Sequence, residues 1–293
     1  MSPGPGPVAA FGALTLALVA LWLPRRPVTS SGVQWWGAFF GVALVAAVSA
    51  HLVDLRGLLA LLALAATCVF AKRARPGPMT VVAHTLMLLL CAALLLHVVP
   101  GFTNPRVLDA ILLSPDAEPY TKYLNFDKGV VGLFVLGLYA PDRTTSDPAT
   151  DHLPALIWRF ALLAVVVLLL ALALGVLRWD PKFPAWSPAW IWSMVFLTAL
   201  PEETMFRGVA QEWLARPLRT EARFRLLAPT IVGVLFGVAH FAGGPAYVVL
   251  ASVAGAGYGW IYASTGSIAA AIAAHASLNT LHFLLFSYPS LAL

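Results

Sequence analysis

Two carboxylates and a guanidinium fall within six positions of an otherwise apolar run, Glu202-Glu203-Thr204-Met205-Phe206-Arg207. An ionisable side chain in a bilayer core costs roughly 3 kcal/mol on insertion scales, so such groups face a polar cavity or each other. In an α-helix Glu203 and Arg207 share one face with the acid first, the favoured order for an ion pair. Glu202 points about 100° away, onto the face of Phe206, where no local cation answers it. A buried carboxylate without a counter-charge is basic enough to act as a general base near neutral pH. Pro201, just before it, removes one helix hydrogen bond and makes room for water.

Two later apolar runs carry groups of matching type. Phe236 and His240 are four apart, with Gly237 allowing a neighbouring helix to approach. His275, Asn279 and His282 follow at i, i+4 and i+7, one polar stripe on an Ala/Leu helix. His282, close to the span end, is equally an interface residue. A carboxylate and a histidine could hold and deprotonate a water. A second histidine with an asparagine could donate to an oxyanion. Together these are the parts needed to hydrolyse an amide inside a membrane. Glu202, His240 and His275 would also make a three-ligand zinc site, so metal-activated and carboxylate-activated water both stay open. No HExxH is present, so a zincin is not indicated. The bland reading of Glu203–Arg207 is a structural pair joining helices. A lone intramembrane histidine is often only bonded to a backbone carbonyl, but two on separate runs weaken that reading.

The elements that must position these groups are membrane helices. The 293-residue chain is 60% hydrophobic and 11% charged, with mean hydropathy +0.84. A soluble domain carries about 25% charged residues. The formal charge of +5 sits in short groups between apolar runs: Arg25-Arg26, Lys72-Arg73-Arg75 and Arg216 to Arg225. These read as topology signals and not as a nucleic-acid footprint. Cys68 and Cys91 lie in apolar segments and read as buried thiols.

Spans are expected at 8–23, 32–53, 57–71, 79–100, 154–177, about 188–214, 229–241, 245–263 and 267–286. His84 and His97 read as interfacial, and Arg159 as snorkelling to the near interface. Residues 101–128 are too polar to span. Within them Val107 to Leu113 reads as an amphipathic piece lying on the membrane. The apolar stretch 129–140 reaches only ~18 Å as a helix against a ~30 Å hydrocarbon core, so it spans with help or re-enters. The positive-inside rule favours spanning. The fold class expected is an all-α polytopic bundle of about eight to ten transmembrane helices. Residues 1–187 form its amino-terminal part, with the polar segment 101–128, and residues 188–293 form a catalytic helical core.

Three stretches, Glu202-Glu203-xxx-Arg207, Phe236-xxx-His240 and His275-xxx-Asn279, resemble the CPBP family of intramembrane endopeptidases in order and in full. That family includes the type II CAAX prenyl proteases, bacteriocin-processing proteins and the myxosortase group. The resemblance covers about 188–286, and nothing comparably specific precedes residue 188. It implies a conical intramembrane cavity with one aqueous face. It further implies that Glu202 activates water with His240, that His275 and Asn279 stabilise the oxyanion, and that Glu203, Arg207 and Phe236 support the site. It implies no cofactor, with a divalent metal such as zinc as the alternative. The implied partners are a membrane-anchored protein or peptide substrate, such as a carboxyl-terminal sorting tail or CAAX-like end, and the lipid bilayer. Ala- and Leu-rich spans with Arg favoured over Lys point to a bacterial inner membrane. Two readings from other classes compete. One is a transporter or proton relay using the buried Glu and His residues, disfavoured because those residues concentrate in one half of the chain. The other is a non-catalytic immunity or scaffold protein, disfavoured because no motif residue is missing.

Overall fold

The computed structural model describes residues 4–23, 34–140, 153–216 and 226–292. Among these the chain is helical apart from one two-stranded sheet. Five helices are long and apolar enough to cross a membrane. They are α3 (Leu55–Arg73), α4 (Pro78–Leu95), α6 (Leu153–Ala173), α11 (Gly244–Thr265, entered through Phe241–Gly243) and α12 (Ile268–Leu285). Three more apolar helices are shorter: α1 (Pro5–Ala20), α2 (Trp35–Ser49) and α10 (Leu227–Ala239). The basic groups Arg25-Arg26 and Arg219 to Arg225 lie outside the described residues.

Contacts divide the chain into two compact units. The first comprises Met1–Leu108, Lys122–Ser146 and Phe196–Met205. In it α1 packs along α2, and α3 along α4. Asp54 caps α3 by accepting from the backbone N–H groups of Arg56 and Gly57. Lys72 and Arg73 complement its carboxyl end. His84 and His97 are not simple interface residues. His84 is buried, with Nε2 2.9 Å from the Tyr139 hydroxyl and Nδ1 2.8 Å from the Thr80 carbonyl. His97 sits just past α4 with φ +57° and faces Asp127. Cys68 and Cys91 are buried free thiols, as expected.

The short apolar stretch is α5 (Phe126–Phe134), continued by a π-helical turn at Val135–Tyr139. Nearly every residue of α5 is buried, glycines included, which explains an apolar composition without a lipid-facing stripe. α5 packs against α8 (Leu200–Glu203). Gly132 makes that approach possible, because a Cβ there would run into the Leu200 side chain and come within 3.2 Å of Pro201 Cα.

The second unit comprises Asp109–Thr121, Asp147–Val195 and Phe206–Leu293. α10 and α11 pack closely through glycine: a Cβ on Gly233 would meet the Ala256 backbone, and one on Gly237 the Val248 carbonyl and Ser252. α6 packs on α11, with Arg159 lying over the Trp260 ring at 5.8 Å, a cation–π partner that the snorkelling reading lacked. The end of α12 is clasped by an irregular segment. Ser287 N–H donates to the Arg178 carbonyl at 2.8 Å and Asp180 N–H to Leu285 at 2.9 Å. Trp190 stacks on Phe283 at 4.1 Å and donates to the Tyr120 hydroxyl at 2.9 Å.

The segment expected to lie on the membrane as an amphipathic piece includes a strand, β1 (Arg106–Ile111), paired with β2 (Tyr120–Tyr123). β2 is rich in residues that favour strands, and pairing satisfies a backbone too polar to span. The long helical run expected over about 188–214 is present, and it is twice widened. α7 (Ser187–Met194) passes into a π segment at Val195–Ala199, then α8, then a second π segment at Thr204–Gln211, then α9 (Glu212–Ala215). The first widening ends just ahead of Pro201, whose ring would otherwise crowd the preceding turn.

Candidate active site

The carboxylates belong to the first unit. Glu202 and Glu203 end α8 and are buried, at 7% and 0% exposure. The expectation that Glu202 lacks a nearby cation is wrong. Lys128 Nζ, in the first turn of α5, lies 3.3 Å from Glu202 Oε1. The two residues are 74 positions apart, so no helix-face argument could pair them. A buried charge needs a counter-charge, and α5 supplies it. The α-helical spacing assumed for Glu203 and Arg207 also does not hold. From Thr204 the helix is π, with hydrogen bonds closing at i→i+5, so four residues fall short of a full turn.

The remaining residues belong to the second unit. His240 is the first residue past α10. Its Nδ1 lies 2.7 Å from the Phe236 carbonyl oxygen. A carbonyl only accepts, so Nδ1 carries the hydrogen and, in the neutral ring, Nε2 holds the lone pair. The i, i+4 spacing of Phe236 and His240 therefore fixes a tautomer as well as a place. The backbone bond leaves the other ring nitrogen free to accept a proton.

Phe236 is a hub. Its ring is 4.5 Å from that of His240, 5.7 Å from His275, 5.0 Å from Phe206 and 6.2 Å from Tyr258, by centroids. Arg207 is fully buried, its guanidinium carbon 5.4 Å from the Phe236 centroid, 5.8 Å from Phe206 and 6.0 Å from Tyr258. A guanidinium tolerates such a cage because it is weakly hydrated and attracted to ring faces. Gln211 anchors the π segment to α11 by donating to the Gly259 carbonyl at 2.9 Å, and Gly259 leaves it room.

His275, on α12, is buried and stacks on Tyr258 at 4.8 Å with the rings 10° from parallel. Asn279 follows one turn later and donates from Nδ2 to the Met194 sulfur at 3.3 Å. A thioether is a weak acceptor, so this amide is readily redirected to a better one. His282 does not join the group. It faces the clasp, with Nε2 3.2 Å from the Ser287 carbonyl and its ring 5.0 Å from Tyr288.

Lys128 and Tyr258 contact motif residues without having been singled out in the sequence. Lys128 ends the stretch 101–128, which is too polar to span and draws no attention to one lysine. Tyr258 sits between Gly257 and Gly259 in a run that reads as small-residue packing, where a lone aromatic among glycines is the only available signal. Among the described residues no group of three His, Cys, Asp or Glu side chains is placed to hold a metal ion.

Residues 184–281 match the family model described as type II CAAX prenyl endopeptidase Rce1-like. No curated protein and no solved structure matches the chain. All seven motif residues fall within the matched segment, and α11 and α12 are long and apolar enough to cross a membrane. The segment from residue 184 to residue 281, about a third of the chain, is therefore similar to the type II CAAX prenyl endopeptidases, the kind of membrane protease that the motif residues suggest.

Proposed function

We propose that the protein hydrolyses a peptide bond near the carboxyl-terminal end of a membrane-anchored protein or peptide, a sorting tail or a CAAX-like end. Glu202 and His240 take the proton from a water as its oxygen attacks the carbonyl carbon. His275 and Asn279 donate hydrogen bonds to the oxyanion of the tetrahedral intermediate. The C–N bond then breaks, and the proton taken from water leaves with the amine. Glu203, Arg207 and Phe236 hold these groups in place. The bacterial inner membrane is the proposed location. The single observation that carries this reading is the His240 ring, whose proton is held on Nδ1 by the Phe236 carbonyl so that Nε2 is the basic nitrogen. Further support comes from Asn279, with a replaceable thioether partner, one turn beyond the buried His275.

Cleavage of two quenched fluorogenic peptides by purified protein in detergent tests this. One peptide ends in a prenylated cysteine followed by two aliphatic residues and a free terminus, and the other is an apolar sorting-tail helix. Glu202→Gln and His240→Ala are each expected to remain folded and lose on the order of 10⁴-fold in rate. Full activity in either variant sinks the assignment. Activity that survives a strong chelator supports carboxylate-activated water. Activity lost to the chelator and restored by zinc moves Glu202 and the histidines into ligand roles.

A further inference from the structure

α5 lies outside the segment matched by the family model, yet it reaches the carboxylate proposed to act as base. Its first turn is pinned by three side chains. Asn104 Oδ1 accepts from Phe126 N–H at 3.0 Å, and Asn104 Nδ2 donates to Asp127 Oδ1 at 3.1 Å. The other Asp127 oxygen is 2.7 Å from His97 Nδ1, and Lys128 N–H is 2.9 Å from Asp127 Oδ1. Asp127 is 1% exposed, so this clamp is buried and directional. One turn further, Gly132 brings the same face of α5 against Leu200 and Pro201, the two residues before Glu202. The clamp holds the first turn of α5, Gly132 sets its close approach to α8, and Lys128 Nζ lies 3.3 Å from Glu202 Oε1. At 16% and 9% side-chain exposure, neither partner of that pair is water-screened as a surface pair would be.

We propose that Lys128 is a positioning residue for Glu202, fixing the orientation of its carboxylate and supplying its counter-charge during water activation. The proposal rests on Glu202 being the base. The Lys122 ammonium on β2 is pushed down to about 8, first by burial and then by the charge of Lys128, with the charge of Glu202 opposing. A merely space-filling Lys128 would exchange for methionine at no cost in turnover.

Two readouts separate this proposal from the peptidase reading. A membrane-permeant carbodiimide activates a buried carboxyl, and an amine in contact displaces it as the urea, closing an isopeptide with net loss of one water. Peptide mass spectrometry is expected to find a Glu202–Lys128 cross-link in wild type, and in Lys128→Met an acylurea adduct on Glu202 in its place. In the prenylated-peptide assay, Lys128→Met is expected to lower kcat by on the order of 10²-fold with KM unchanged, and Lys128→Arg to restore most of it. Absence of the cross-link in folded wild-type protein overturns the pairing. Wild-type kcat in Lys128→Met overturns the role. A cross-link in wild-type protein that cleaves neither peptide supports the pairing and counts against the peptidase reading.

Discussion

The carboxylate region and the histidine region solve the same problem, holding a polar group in an apolar interior, by different means. Around Glu202 the solution is charge against charge: the Lys128 ammonium at 3.3 Å, with α5 behind it pinned by Asp127, Asn104 and His97. Around His240 and His275 the solution is a backbone carbonyl and aromatic rings, with Phe236 and Tyr258 making the contacts. The difference matches the proposed roles. A carboxylate base is charged before it reacts and needs a counter-charge at rest. An imidazole can rest neutral and needs only its tautomer and ring plane fixed.

Substitutions confined to one region should leave the other intact, and that separation can be broken. The largest effect is expected for Gly132→Ala. The added methyl has no space against Leu200 and Pro201, so stability should fall by about 1–3 kcal/mol, read by unfolding in detergent. The Glu202–Lys128 cross-link should fall with it. An unchanged cross-link would mean that the carboxylate region does not depend on this close approach. Tyr258→Leu should cost about 1 kcal/mol beyond lost area and lower kcat through His275, while the cross-link yield stays at the wild-type level. A changed cross-link there would join what are described as separate solutions.

Lys122→Met sharpens the charge side through pH. The folded-state value of Lys122 is lowered from 10.5 to about 8. Between those values the unfolded chain holds a proton that the folded chain has released, so stability rises with pH across that window, and the cost of burying the ammonium is complete below about 8. Lys122→Met is therefore expected to raise the thermal midpoint at neutral pH, with the difference closing as pH climbs toward 10.5. A difference independent of pH would show that Lys122 costs nothing as a charge.

What could be read in advance was whatever leaves a local trace. α3, α4, α6, α11 and α12 announce themselves by length and apolarity. The motif residues announce themselves because each is a polar group in an apolar run. The Lys128–Glu202 pair leaves no such trace, since its partners are 74 positions apart and a lysine in a polar stretch has an ordinary explanation in water. The π segments at 195–199 and 204–211 carry no compositional signature, so the face shared by Glu203 and Arg207 was drawn on the wrong helix. The pairing of β1 with β2 is a non-local decision and leaves no trace within either stretch. His97 looked like an interface residue because Asp127, 30 positions on, is too distant in sequence to suggest a clamp.

The bond from His240 to the Phe236 carbonyl divides the labour of residue 236 between two atoms sets that mutagenesis treats unequally. The ring can be exchanged, and exchanging it disturbs Arg207, His275 and Tyr258 together. The carbonyl cannot, because every amino acid presents one at that place. The proton on His240 is thus held by a contact that side-chain scanning does not see. A Phe236 variant that loses activity reports on packing alone, and only altered main-chain chemistry at this position, such as an ester bond that weakens the carbonyl as an acceptor, would report on the tautomer.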